Sequence, residues 1–201
     1  MKSINSILNR LNQLSIVLFI STILKKTSPI VLGPAIVTGS LSTYFLFVSH
    51  PIWGTNDDVF MSMIAAGVPM VSIQPYVNLL FIHPFYGWFI SHLYMWEPEI
   101  PWYGISFILI VGLSLVTLNY SILRIRRQLN FSLVVICATI GTLLPSLWHL
   151  QYTIIAGLAT IAGAILLLSF FMREPEVKKS FNIGILTSLC LLLLGAMIRF
   201  D

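Results

Sequence analysis

Two carboxylates stand side by side in a chain that is otherwise almost all hydrocarbon: Asp57 and Asp58, within the run Trp53-Gly-Thr-Asn-Asp-Asp-Val-Phe-Met-Ser-Met-Ile-Ala-Ala-Gly67. Charged residues make up only 9% of the sequence, so an adjacent acid pair at the exit of an apolar segment is the first place to look for chemistry. An aspartate can take a proton from an attacking hydroxyl, and a pair of them offers hard oxygen ligands that suit Mg²⁺ or Mn²⁺. Two neighbouring aspartates alone make a weak metal site, so any metal would need phosphate oxygens of a substrate as further ligands. Asn56 reads as a helix N-cap, which sets the pair at the positive end of the helix dipole, a placement that favours carboxylate over acid. His83 and Arg199 are the other polar candidates for contact with a substrate. Each also has a plainer reading. His83-Pro84 suits a helix start, and Arg199 suits the anchor of a terminal apolar run, reaching to lipid headgroups. His50, His92 and His149 fall at span ends or on aromatic-rich faces and read as interfacial. Cys137 and Cys190 lie inside apolar runs, without partners at metal-ligand spacing.

The elements that must carry these groups are set by composition. Hydrophobic residues reach 57% and mean hydropathy is +0.92, with several apolar runs of roughly 20 residues, the signature of an all-α polytopic membrane protein. The formal net charge of +4 belongs to loops on one side of such a protein and does not signal nucleic-acid binding. Residues 1–28 alternate Ile4, Ile7, Leu8, Leu11 and Leu14 with Asn5, Asn9, Asn12 and Gln13 at helical spacing, the pattern of a cytoplasmic interfacial amphipathic helix. Residues 29–201 form a single transmembrane domain with an outer loop at 51–101. About five spans are expected, at Pro29–His50, Trp102–Leu123, Phe131–Leu150, Ile154–Met172 and Phe181–Ile198, with Gln151-Tyr152-Thr153 as a tight outer turn. With the N-terminus inside, 10 of the 11 basic residues are cytoplasmic and only Arg199 is outside, as the positive-inside rule asks. Val71–Trp96 holds Pro75, Asn78, His83, Pro84, Gly87 and His92, too many polar and helix-breaking groups for a lipid-facing span. It is read as one or two juxtamembrane helices on the outer face, with Trp88, Tyr94, Trp96, Trp102 and Tyr103 as an aromatic belt.

An apolar span, an outer Asn-Asp-Asp opening a short helix, a His-Pro helix ending in Leu-Tyr, then Pro-Trp-Tyr leading into the next span resembles the N-terminal half of GT-C type glycosyltransferases, in particular a bacterial branch with an "NDD…M…IA.G" stretch and a "QYT" turn. The resemblance covers most of the chain through short motifs. It implies a polytopic enzyme of the bacterial inner membrane that takes sugar from a polyprenyl-phosphate donor on the extracytoplasmic face. It implies that Asp57 or Asp58 serves as general base or metal ligand; the substrate-binding candidates Asn56, His83 and Arg199 come from the residues themselves, Arg199 as the partner of a lipid phosphate. Family members run to twice this length or more, so the resemblance also implies a piece of a longer enzyme.

Two classes of function follow from the residues. One is a lipid-linked sugar transferase whose partners are membrane lipid and a polyprenyl-phosphate-linked sugar. The other is a non-catalytic membrane assembly subunit or a transporter fragment. Transport asks for charged or polar groups near mid-span at broken helices, and away from their ends the spans here offer only Ser, Thr, Tyr, Gly and Asn119.

Overall fold

A computed structural model describes residues 33, 36–40, 44, 48, 52–53, 55–69, 74–126, 128, 130–131, 133–135, 137–139, 141, 149–172 and 178–199. The interfacial helix expected over 1–28 lies outside these residues, as do most of the expected first span and much of the span from Phe131. The described protein is mostly helical. The elements described are a two-residue strand β1 (Ile52–Trp53), helices α1 (Asn56–Ala66), α2 (Pro84–Trp96) and α3 (Trp102–Ile125), a second short strand β2 (His149–Leu150), and helices α4 (Tyr152–Met172) and α5 (Lys178–Ile198). The strands pair in parallel, Ile52 opposite His149 and Trp53 opposite Leu150.

Among the described residues, three segments are long and apolar enough to cross a membrane: Trp102–Ile125, Tyr152–Met172 and Phe181–Ile198. Uninterrupted hydrocarbon over 18 or more residues leaves the backbone no partner but itself, and an α-helix satisfies every interior N–H and C=O. Helices α3 and α4 start at the same end, because residues at both N-termini converge on Asp58. Helix α5 runs back antiparallel to α4, with Ser188 Oγ donating to the Gly163 carbonyl at 2.7 Å.

Small residues let α4 and α5 come this close. A Cβ on Gly163 would stand 2.9 Å from the Ser188 carbonyl oxygen and 3.1 Å from Leu192, and one on Gly195 would stand 2.8 Å from the Ala156 carbonyl oxygen. Between apolar helices in a bilayer, such close backbone approach supplies the packing that drives association. Gly163→Val and Gly195→Val are each expected to lower unfolding stability by about 1–3 kcal/mol through overpacking, read as the midpoint shift of the purified protein in detergent. Gly157→Val on the same helix α4, where a Cβ meets nothing within 4 Å, is expected to leave the midpoint in place; equal losses at all three positions would refute this account.

The described residues between 130 and 141 are helical and run antiparallel to α3. Thr139 Oγ1 lies 3.0 Å from Asn119 Oδ1, and Val135 packs with Leu123. Asn119 is therefore a buried packing group, its amide donating to the Leu115 carbonyl at 3.1 Å. At the far end of α3 from Asp58, the Arg124 guanidinium is buried 3.8 Å above the Phe170 ring.

Three sequence expectations need correction. Tyr152 and Thr153 belong to α4 and not to a turn, since the helix opens where the Asp58 carboxylate receives the Tyr152 N–H. Tyr94 and Tyr103 are 5% and 0% exposed and sit in the core, whereas Trp88 and Trp96 are exposed. The two tyrosines are drawn inward because α3 begins after Pro101, which provides no side-chain cap, and the buried Tyr94 hydroxyl accepts the Tyr103 N–H at 3.2 Å. Asn56 is not the N-cap of α1; Thr55 is. Between 71 and 96 the described helix is α2 alone, 13 residues long, which at 1.5 Å per residue rises about 20 Å against a hydrocarbon core of roughly 30 Å.

Candidate functional site

Helix α1 begins the way its sequence allows once Thr55 is the cap. Thr55 Oγ1 accepts the Asp58 N–H at 3.4 Å and donates to Asp58 Oδ2 at 2.7 Å. Thr-x-x-Asp thus works as a reciprocal cap in which the fourth residue answers the first. This spacing was present in Thr55-Asn56-Asp57-Asp58, and it is the signal that favours Thr55 over Asn56. At its other end α1 stops on Gly67, whose φ of +70° is the left-handed conformation that glycine adopts without a Cβ penalty.

The two acids part company at this helix start. Asp58 is 0% exposed and Asp57 is on the surface. Besides Thr55, Asp58 receives the Tyr152 backbone N–H on Oδ1 at 3.1 Å, across 94 residues of sequence. One carboxylate therefore ties two helix starts together, taking the hydroxyl of the α1 cap and a first-turn N–H of α4 that has no helical partner. From the core side the Tyr103 hydroxyl faces the same carboxylate and donates to Met61 Sδ at 3.9 Å. Burial raises the Asp58 pKa above the ordinary aspartate value, outweighing the hydrogen bonds from Thr55 and Tyr152, which act to lower it, and the nearby Asp57 charge pushes it further up. This corrects the expectation that the helix dipole favours the carboxylate form at this position: loss of water is the larger effect.

His83 caps α2, its Nδ1 accepting the Phe85 N–H at 3.2 Å with Pro84 in the first helical position. Its own N–H donates to the Met197 carbonyl at 2.8 Å, so α2 starts beside the end of α5 that leads to Arg199. Arg199 is exposed, with its N–H on the Gly195 carbonyl at 3.2 Å. His83 and the Arg199 end of α5 thus meet at one corner, and Asn56 is exposed beside Asp57.

The donor set does not fit a protein-held Mg²⁺ or Mn²⁺. Both oxygens of Asp58 are already engaged, and among the described residues no group of three His, Cys, Asp or Glu side chains could hold a metal ion. A shallow groove of about 310 Å³ runs between α1 and the turn before α3, lined by Trp53, Met63, Ala66, Tyr94, Glu99 and Ile100 among others. Neither aspartate lines it, so Glu99 is the groove's acid and the Asp57–Asp58 site is separate.

Aromatic residues complete the site, among them Phe81, which the sequence did not single out. In the loop before α2, Phe81 takes a positive φ of 59°, a conformation that costs a non-glycine residue about 1–2 kcal/mol. Its ring lies parallel to that of Tyr152, with 6.1 Å between centroids and 3° between planes. Trp53 packs on Tyr103 with ring centroids 5.4 Å apart, which locks β1 and the start of α1 against α3. Comparison with known proteins finds no matching family profile, no similar curated protein and no similar solved structure. Function must be argued from the site itself.

Proposed function

We propose that this chain is an integral membrane glycosyltransferase, or a part of one, that takes sugar from a polyprenyl-phosphate donor on the outer face of a bacterial inner membrane. The observation that carries the reading is the division of the acid pair: Asp58 is buried and bonded to two helix starts, and its neighbour Asp57 is left exposed at the same end of the bundle. That is how a reactive carboxylate is held still, with one acid fixing the backbone that presents the other. In the reaction, the Asp57 carboxylate takes the proton of an acceptor hydroxyl as its oxygen bonds to the anomeric carbon. The bond from that carbon to the donor phosphate oxygen breaks, and its electron pair leaves on the polyprenyl phosphate. Arg199 supplies positive charge for that phosphate at the His83 corner. The test is incorporation of radiolabelled sugar from a polyprenyl-phosphate donor into glycoconjugates by membranes containing the chain; incorporation no higher than in membranes lacking it refutes the proposal.

The proposed topology places five spans with the N-terminus inside and the Asp57 end outside. Its support is the direction of α3, α4 and α5 together with the 10 basic residues assigned to the inner side. In a background with Cys137 and Cys190 replaced by serine, single cysteines at the exposed Asn56 and Glu97 are expected to react with a membrane-impermeant thiol reagent in intact cells, and one at Gln128 is not. Reaction at Gln128 with protection at Glu97 inverts the orientation.

A second reading is a membrane subunit without chemistry of its own. It is favoured by the same hydrogen bonds, since Asp58 has a structural task that explains one of the two acids without any reaction. The transporter form of that reading is weaker, because the mid-span polar residue Asn119 is bonded within the bundle.

A further inference from the structure

We propose that Phe81 and Tyr152 form a stacking platform for a pyranose ring next to Asp57. The proposal rests on the transfer reading for the kind of ligand it names, and its geometry stands independently. Phe81 is the one non-glycine residue with positive φ among the described residues, and it stays in that conformation although its side chain is 49% exposed. A phenylalanine that merely faces lipid reaches the same exposure from ordinary backbone, so burial does not explain the strain. Strain of this kind persists where the surroundings over-determine it, and such positions cluster at ligand sites.

The surroundings do fix it. Leu79 and Ile82, on either side of Leu80-Phe81, are buried, and the His83 N–H is bonded to the Met197 carbonyl at 2.8 Å. What these anchors produce is the parallel Phe81–Tyr152 pair. At 6.1 Å between centroids the rings are offset, so the half-buried Tyr152 backs only part of the exposed Phe81 ring. Tyr152 is also the residue whose N–H is held by Asp58, so the pair belongs to the acid end of the bundle. A sugar ring presents a face of C–H bonds that lies flat on an aromatic face, while its hydroxyls point outward in the ring plane toward polar groups. Asp57, exposed and next in sequence to the Asp58 that holds the Tyr152 N–H, is the polar group of that kind at this end.

The experiment is saturation-transfer NMR on the full chain in phospholipid nanodiscs, with methyl β-D-glucopyranoside and methyl α-D-mannopyranoside as probes and glycerol as the non-ring control. Saturation is expected at the ring C–H protons of at least one glycoside and not on glycerol. In Phe81→Gly it is expected to fall by about 5-fold or more, the loss of an aromatic contact of ordinary strength, while the unfolding midpoint stays level or rises because glycine relieves the positive φ. Phe81→Leu keeps apolar volume without a ring face and is expected to lose the signal as well, whereas Phe81→Trp is expected to keep it. Wild-type protein that saturates neither glycoside overturns the platform, as does undiminished saturation in either Phe81→Gly or Phe81→Leu. Because binding is read without turnover, saturation in a protein that transfers no sugar overturns the transferase reading alone, and transfer by a protein that saturates neither probe overturns the platform alone.

Discussion

Asp57→Asn is expected to lower sugar transfer by about 10²–10⁴-fold, the range typical for loss of a general base, with protein level and unfolding midpoint nearly unchanged. The two effects separate because of where Asp57 sits. It is exposed in the first turn of α1, so removing its charge forfeits only a helix-dipole interaction of about 0.3–1 kcal/mol. Asparagine keeps the shape and the acceptor oxygen but is no base at neutral pH. The assay is radiolabelled sugar incorporation at matched protein content, and Asp57→Glu is the useful companion, since it restores a carboxylate one methylene out of place and should recover part of the rate. Transfer by Asp57→Asn equal to wild type would show that this carboxylate is not the base, and the reading without chemistry would then take precedence.

Asp58 should behave in the opposite manner, failing through structure. Asp58→Leu removes the acceptor of both the Tyr152 N–H and the Thr55 hydroxyl at a part-buried site, and each group left unsatisfied costs up to about 1–3 kcal/mol. Asp58→Asn keeps an acceptor for Tyr152 and should fold. It also removes a pH dependence whose sign is fixed by the raised Asp58 pKa. In the range above the ordinary value of 3.8 the folded protein holds a proton that the unfolded chain has released. Stability is therefore full below that value and declines as pH rises through the folded-state pKa. Thermal unfolding in detergent across this acid range should show the decline in wild type and a flatter profile in Asp58→Asn. Identical profiles would mean that Asp58 titrates as an ordinary surface acid, against the burial described above.

Hydropathy made three long helices legible almost to the residue. Trp102–Leu123, Ile154–Met172 and Phe181–Ile198 were expected, and Trp102–Ile125, Tyr152–Met172 and Phe181–Ile198 are found, because continuous hydrocarbon admits only one backbone solution in a bilayer. The ends were harder to place. Asn56 and Thr55 are both good N-cap types, and only the reciprocal spacing from Thr55 to Asp58 separates them; the second partner of Asp58, Tyr152, is not local. No local pattern announces a hydrogen bond that spans 94 residues. The aromatic belt failed in part for a related reason: Tyr94 and Tyr103 look like Trp88 and Trp96 in composition, and only the fold decides which rings turn inward. The strain at Phe81 left no trace in the sequence, since phenylalanine is an ordinary loop neighbour of leucine and isoleucine.

The bond from Tyr152 to Asp58 also sets an order of events during synthesis. A chain entering the membrane from its N-terminus delivers the acid pair early, but the N–H that holds Asp58 and the strand that pairs with β1 both arrive only when the segment around His149–Tyr152 has emerged on the same side. Until then Asp58 has its local partner Thr55 and nothing across the bundle, and an ionised carboxylate there is best left in water. The Asp58 end of the bundle must therefore close after the helices that carry it have formed, which makes the acid site one of the last parts of the molecule to acquire its shape.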